Sequence, residues 1–462
     1  MDKIELYSLL DFILAPFYIA IIYFLASATK ARKIVTNPVY KYYLRGLQLK
    51  LIGAVGFFLI YTFYYQGGDS TAFFQSSGLL SKLITSHTYT YFSILFGNLS
   101  QQNFTAFWDA ELCCPQYYKD FNTFSVVRYI SPLVLLSGFS YLSTTILFSY
   151  FTYICIWRLF LVFTEIYPQN EKRLAIAILY TPTVLFWGSG VLKDSFAFAG
   201  ACAFTYVVYT FFIKKQRNFK YLFLLAASAY LMITTKPYVF VALLPGSATW
   251  IFFQRISRIQ SVGIKILLAP VIIGIGLLIT SLVTSRLKDS LGYYGDVDNA
   301  LKKAQINKID LARDVYGSNS FDIGEFDGST GSALRLFPAA VIAGLFRPFI
   351  FEARNFVNFI TAIENTLLLL LTLKVLLQAG PFRLLRYIFS EPLILFSFIF
   401  AIFFAFAVGL STSNFGALAR YKIPAVPFFC AMLFIIEYKI AEARKLKKIE
   451  LESENESIKQ IA

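Results

Sequence analysis

From Phe12 to Ala28 the chain carries no charged residue, and runs of similar character recur near 46–65, 138–163, 173–190, 194–213, 219–235, 237–254, 264–285, 355–377, 392–410 and 421–440. Each is long enough to cross most of a hydrocarbon layer about 30 Å thick as a helix. In lipid every backbone N–H and C=O must find a partner within the protein, so helices and closed barrels are the available spanning forms. The spacing predicts an all-α fold: a polytopic integral membrane bundle of about eleven transmembrane helices. Residues 1–445 form a single transmembrane domain in this reading, and 446–462 a charged, disordered cytoplasmic tail. Composition agrees, because 15% of the residues are charged and 57% hydrophobic, against about 25% charged in a soluble protein. A disordered chain, a disulfide-stapled secreted module and an ordinary cytosolic enzyme are thereby disfavoured.

The formal net charge of +15 would raise the question of nucleic acid in a soluble protein. Here the basic residues fall in short runs between apolar segments, as the positive-inside bias requires, and no nucleic-acid partner is expected. Basic residues, rather than a small-residue cleavage site, follow the first run, which reads as a retained span with its N-terminus outside. Lys30, Arg32, Lys33, Lys41, Arg45 and Lys50 then lie inside, as do the segment from Lys214 to Lys220, Arg255, Arg258 and Lys265, Arg383 and Arg386, and the C-terminus. Two long loops, 66–130 and 286–335, lie outside with the short turns at Lys193, Lys236 and Arg420. This plan suits a bacterial inner (cytoplasmic) membrane. In the first loop FFQSSGLLSKLI reads as a short helix in the headgroup layer. In the second, Leu301–Tyr316 reads as a short polar helix, and 332–346 as a re-entrant or interfacial segment.

A bilayer is a costly place for an unpaired charge, so ionisable residues at span ends carry the functional signal. They are Asp69; Lys193 and Asp194; Lys236; Arg347 and Glu352; Glu364, with Arg347 or Arg354 to neutralise it; and Arg420 with Lys422. A lone lysine or arginine at a span end is commonly a snorkelling anchor, and Gly-Gly-Asp is also an ordinary helix stop. Yet Lys193, Lys236, Arg347 and Arg420 occupy outer turns against the charge bias, which points to an anion held there, such as a lipid phosphate or pyrophosphate. The free N–H groups of a helix opening at Lys193 would add to such a site. The remaining candidates read blandly. His87 is a surface residue of a polar loop, Cys155, Cys202 and Cys430 are small hydrophobes, and adjacent Cys113 and Cys114 are not expected to pair. Tyr64, Tyr65, Tyr293 and Tyr294 belong to an interfacial belt or stack on sugars. No cofactor is called for, although Asp296 with Asp298, or Asp322 with Asp327, offer places for a divalent cation.

A Gly-Asp acid in the first large outer loop, a PTVLFWGSGVLKDS stretch at a span's outer end and a late ARYKIPAVPF segment entering a span together resemble the polytopic GT-C superfamily of membrane glycosyltransferases and related bacterial surface-polysaccharide polymerases. The acid follows the second expected span here, where the family places it after the first. The resemblance implies inverting sugar transfer from a polyprenyl-phosphate-linked donor to a glycan or lipid acceptor at the outer membrane face. It implies Asp69 as general base, with Lys193, Arg347 and Arg420 on the departing lipid phosphate; the other span-end charges, Asp194, Lys236, Glu352 and Lys422, are expected to complete substrate binding. A transporter or flippase of a lipid-linked or anionic glycan would use the same basic groups to bind without reacting, and a non-catalytic envelope subunit would need none of them.

Overall fold

The computed structural model describes residues 5–256, 262–313 and 319–461, and every regular element among them is helical. The first half comprises α1 (Leu9–Lys33), α2 (Tyr43–Leu59), α3 (Asp69–Ser86), α4 (Thr88–Leu95), α5 (Gln101–Asp109), α6 (Phe121–Leu136), α7 (Tyr141–Ile166), α8 (Glu171–Leu179), α9 (Pro182–Leu185) and α10 (Lys193–Val207). There follow α11 (Phe219–Thr235), α12 (Pro237–Ile256), α13 (Val262–Arg286), α14 (Lys288–Leu291), α15 (Val297–Leu311), α16 (Thr330–Arg335) and α17 (Phe337–Phe346). The chain closes with α18 (Phe356–Ala379), α19 (Pro381–Ser390), α20 (Pro392–Ser411), α21 (Phe415–Tyr421) and α22 (Ala425–Ile461). Arg258, within an expected inner loop, and Tyr316, at the end of an expected polar helix, lie outside the described residues.

Among the described residues eight helices are long and apolar enough to cross a membrane: α1, α2, α7, α10, α12, α13, α18 and α20. The pair α21 and α22, bent by 63°, makes a ninth. Two expected runs take other forms. The run at 219–235 is α11, an apolar helix of 17 residues. The run at 173–190 is not one helix: it breaks after Tyr180 into α9 and a single 3₁₀ turn, Trp187–Ser189. Pro182 lacks an N–H and biases Thr181 away from helical geometry, so the break is written in the sequence.

That break leaves backbone groups exposed inside an apolar bundle, and buried side chains take them up. Glu364 accepts from the Thr183 N–H at 2.8 Å and from its Oγ1 at 2.7 Å, while Lys50 Nζ donates to the Val184 carbonyl at 2.8 Å. Gly53 lets α2 approach, since a Cβ there would stand 1.8 Å from the Leu185 carbonyl oxygen. Lys50 is therefore a fully buried residue of α2 rather than a loop residue. Elsewhere α17 and α20 meet through small residues: a Cβ on Gly409 would fall 2.0 Å from the Ala340 oxygen, and one on Gly344 2.1 Å from the Ala405 oxygen.

The bundle has two ionic ends. At one, Lys41 pairs with Glu171, Lys214 with Glu165 at 2.5 Å, Arg173 and Lys374 with Glu437 at 3.0 and 2.6 Å, and Lys439 with Glu391 at 2.6 Å. The other end gathers Asp69, Lys193, Asp194, Lys236 and Arg420. From Lys193 the helix of α10 continues for 21 residues to Ile213, so about 30 Å separates the two ends.

Three expectations need correction. The short helix expected over FFQSSGLLSKLI is the 18-residue α3, mostly buried against α6, with Ser77 Oγ donating to the Val127 carbonyl at 2.9 Å and Ser81 Oγ to that of Ser131 at 3.0 Å. The polar helix of the second loop opens at Val297, because Asp296 caps it. The tail is helical, α22 running as one element to Ile461, with residues 441–453 exposed.

Candidate functional site

The site is assembled where several helices end at one face of the bundle. α2 continues through a wide turn to Tyr64, and Gln66, Gly67 and Gly68, with φ of 53°, 148° and 124°, reverse the chain into α3. Gly68 also lies against Tyr61, whose ring would stand 3.2 Å from an added Cβ. This turn sets Asp69 at the first position of α3, where the helix N-terminus favours a negative charge.

Arg420 comes from the far end of the sequence, in the last turn of α21, whose start is capped by Asn414. Its Nη1 donates to Asp69 Oδ2 at 2.9 Å. The Asp69 side chain is 48% exposed and that of Arg420 18%, so the carboxylate faces outward from a cation that backs it. Burial raises the affinity of Asp69 for a proton, but Arg420, with Lys193 and Lys236 beyond it, more than offsets this and holds the carboxyl below the usual carboxylate range.

Beside this pair stands a second, more deeply buried one. Asp194 follows Lys193 at the start of α10, and Lys236 joins α11 to α12; the two form an ion pair with both side chains below 10% exposure. Lys236 Nζ also stands 3.6 Å from the centroid of the Tyr421 ring, next in sequence to Arg420. Lys193 takes a hydroxyl instead of a carboxylate: Nζ donates to Thr123 Oγ1 at 2.9 Å, and Thr123 in turn donates to Asp120, the cap of α6. Three cations and two carboxylates from four separate stretches of chain thus share one neighbourhood, with Lys193 half-buried and Asp69 open to solvent.

Other expected members do not join it. Arg347 closes a two-pronged pair with Glu352, Nε reaching Oε1 and Oε2 at 3.0 and 3.1 Å, and its guanidinium lies over Phe321 and Phe415 at 4.6 and 5.3 Å. Lys422, two residues beyond Arg420, points into the bundle. It is fully buried and donates to the carbonyls of Arg347 and Leu345 and to Asn365. The cation facing Glu364 is this lysine, not Arg347. The acids considered for a divalent cation cap turns: Asp296 accepts from Asp298 and Asn299, Asp322 from Ile323 and Gly324, and Asp327 from Ser329 and Ser332. Hydrogen bonds from those two serines hold Asp327 down to about 2. Tyr61, Tyr421 and Thr123 belong to the site without any sequence signal that separates them from the aromatic belt or a polar loop.

The coupling of Asp69 to Arg420 has a measurable consequence. A carboxyl whose folded-state pKa is lowered stabilises the fold above the ordinary aspartate range, near pH 3.9, and that contribution drains away as pH falls through the lower folded value. Replacing Arg420 by glutamine removes the largest lowering influence and leaves the burial that raises the pKa, so ionisation of Asp69 is expected to move upward in pH. A carboxyl-resolved NMR or infrared titration of wild type and Arg420→Gln checks this; an unchanged or lower midpoint contradicts it.

No protein family, curated protein or solved structure matches the chain.

Proposed function

We propose that this protein is an integral membrane glycosyltransferase or polysaccharide polymerase that moves a sugar from a polyprenyl-phosphate-linked donor at the outer face of a bacterial inner membrane. The observation that carries the reading is the meeting of Asp69, Arg420, Lys193, Asp194 and Lys236 at one end of the bundle, opposite the more basic end. In this reading all eleven expected spans cross, with 173–190 and α11 completing the count, and the site end is outside because the Lys- and Arg-rich end stays inside.

The chemistry follows from the geometry. Asp69 accepts the proton of an acceptor hydroxyl on a glycan or lipid as its oxygen attacks the anomeric carbon. The bond from that carbon to the phosphate oxygen breaks on the opposite side, with inversion, and the electron pair leaves on the lipid phosphate. Arg420 and Lys193 stabilise the departing charge, while Lys236 and Asp194 fix Arg420 through Tyr421. Phosphate binding to Arg420 competes for the N–H that holds Asp69, and so frees the carboxylate when donor is present.

Purified protein in proteoliposomes tests it, with an undecaprenyl-diphosphate-linked sugar as donor and release of the lipid carrier as readout. Donor-dependent release with glycosidic-bond formation supports the reading. Passage of intact donor between leaflets without bond formation would replace it with the flippase reading, which the charged residues Lys50, Glu364 and Lys422 inside the bundle favour.

A further inference from the structure

Arg128 lies in the middle of α6, in the unit that α3–α6 build with their own apolar core, and none of its surface is exposed. Two of its three guanidinium nitrogens find no acceptor among the described residues. Nε and Nη2 are buried without a hydrogen bond, and no ion pair reaches the group. Its neighbours are rings, with Phe121 and Tyr129 centred 4.7 and 5.7 Å from Cζ. Attraction to aromatic faces offsets part of the cost of taking a guanidinium out of water, but not the cost of leaving its N–H groups empty. A buried lysine escapes by shedding its proton; a guanidinium keeps its charge.

The cover above this side chain is thin. Gly97, at φ +106°, lies against it, and an added Cβ would stand 2.6 Å from Nη1 and 3.5 Å from the Phe121 ring. Phe96 is 81% and Phe121 43% exposed, so the cation sits one layer below the surface. Beneath, the turn is anchored: Asn98 N donates to the Ser93 carbonyl at 3.0 Å, and Asn103 Nδ2 to the Asn98 carbonyl at 2.9 Å.

We infer that Arg128 is the core of a second anion site, which takes the oxygens of a phosphate or carboxylate entering between the Phe96–Gly97 turn and the Phe121 ring. The planar fork of donors matches two oxygens of such a group at once. The inference stands apart from the transfer reading, since Arg128 touches none of the residues assigned there. Either a lipid headgroup or a soluble anion supplies the chemistry.

The test is thermal unfolding of the full chain in nanodiscs. Wild type in phosphatidylcholine is titrated with inorganic phosphate against chloride at matched ionic strength, and separately transferred to discs containing phosphatidylglycerol. A saturable rise of several degrees in the unfolding midpoint is expected. With phosphate it identifies a soluble anion; with phosphatidylglycerol alone it identifies a headgroup. Arg128→Met is expected to unfold above wild type without anion and to show no response. Arg128→Lys keeps the charge without the fork, so its half-saturating concentration should rise about tenfold. Should the methionine variant not fold, Arg128→Lys and Gly97→Ala carry the comparison. A wild type that responds to neither anion, or variants that respond as wild type does, would overturn the site.

Discussion

Asp69→Asn is expected to slow sugar transfer by about 10²- to 10⁴-fold, the usual contribution of a positioned general base. Asparagine has nearly the same shape and keeps an oxygen for Arg420 Nη1, so the turn of Gln66–Gly68 and the start of α3 are left in place. What it cannot do is take a proton from an attacking hydroxyl. Stability is expected to change little, because an ion pair with one partner half-exposed is worth about 0–1 kcal/mol. The comparison is of transfer rate and unfolding midpoint in the same preparation. Retained transfer at near wild-type rate removes Asp69 as the base. If neutralising Arg420 and Lys193 also leaves transfer intact, the enzyme reading goes with it.

Asp194→Asn is expected to have the larger effect on the fold, a loss of about 3–5 kcal/mol. The reason is burial: both side chains of the Asp194–Lys236 pair are below 10% exposure, so the variant leaves Lys236 inside the bundle either charged without its counter-ion or forced to give up its proton, with Tyr421 as its remaining close neighbour. Lys236→Met alone strands the carboxylate and is expected to cost a similar amount. Removing both charges in Asp194→Asn, Lys236→Met is expected to recover most of either loss, since well-packed apolar groups commonly replace a buried ion pair at little cost. The double-mutant cycle of unfolding midpoints measures the coupling directly. Additive losses would mean that the two groups are solvated independently. Transfer activity separates the roles further: Lys236 holds Tyr421 beside Arg420, so the double variant is expected to regain stability without regaining full rate.

Much of this architecture was legible in the chain itself. Apolar runs gave the helical membrane bundle because lipid leaves a backbone so few alternatives. Asp69, Lys193, Asp194, Lys236 and Arg420 stood out because they sit at the ends of those runs, and three of them are basic residues on turns expected to lie outside, against the charge bias. The structure brings these five together. Direction was harder to read than position. Lys422 is two residues from Arg420, but α21 ends between them and the chain turns by 63° into α22, so one side chain faces Asp69 and the other the bundle interior. Arg347 found a closer acid, Glu352, five residues along its own loop. Lys50 lies at the margin of an apolar run and reads as a loop residue until the broken segment at 180–192 supplies the carbonyl that needs it. Arg128 falls in a helix too short for a span, and nothing in its neighbours marks it as buried without a partner.

The most direct test of the central claim is a density map of the protein with an undecaprenyl-diphosphate-linked sugar bound. A phosphate oxygen is expected within about 2.7–3.2 Å of an Arg420 or Lys193 nitrogen, with the anomeric carbon between that phosphate and the Asp69 carboxylate. A phosphate lodged among Arg173, Lys374 and Lys439 at the opposite end, or a donor whose sugar lies out of reach of Asp69, would contradict it.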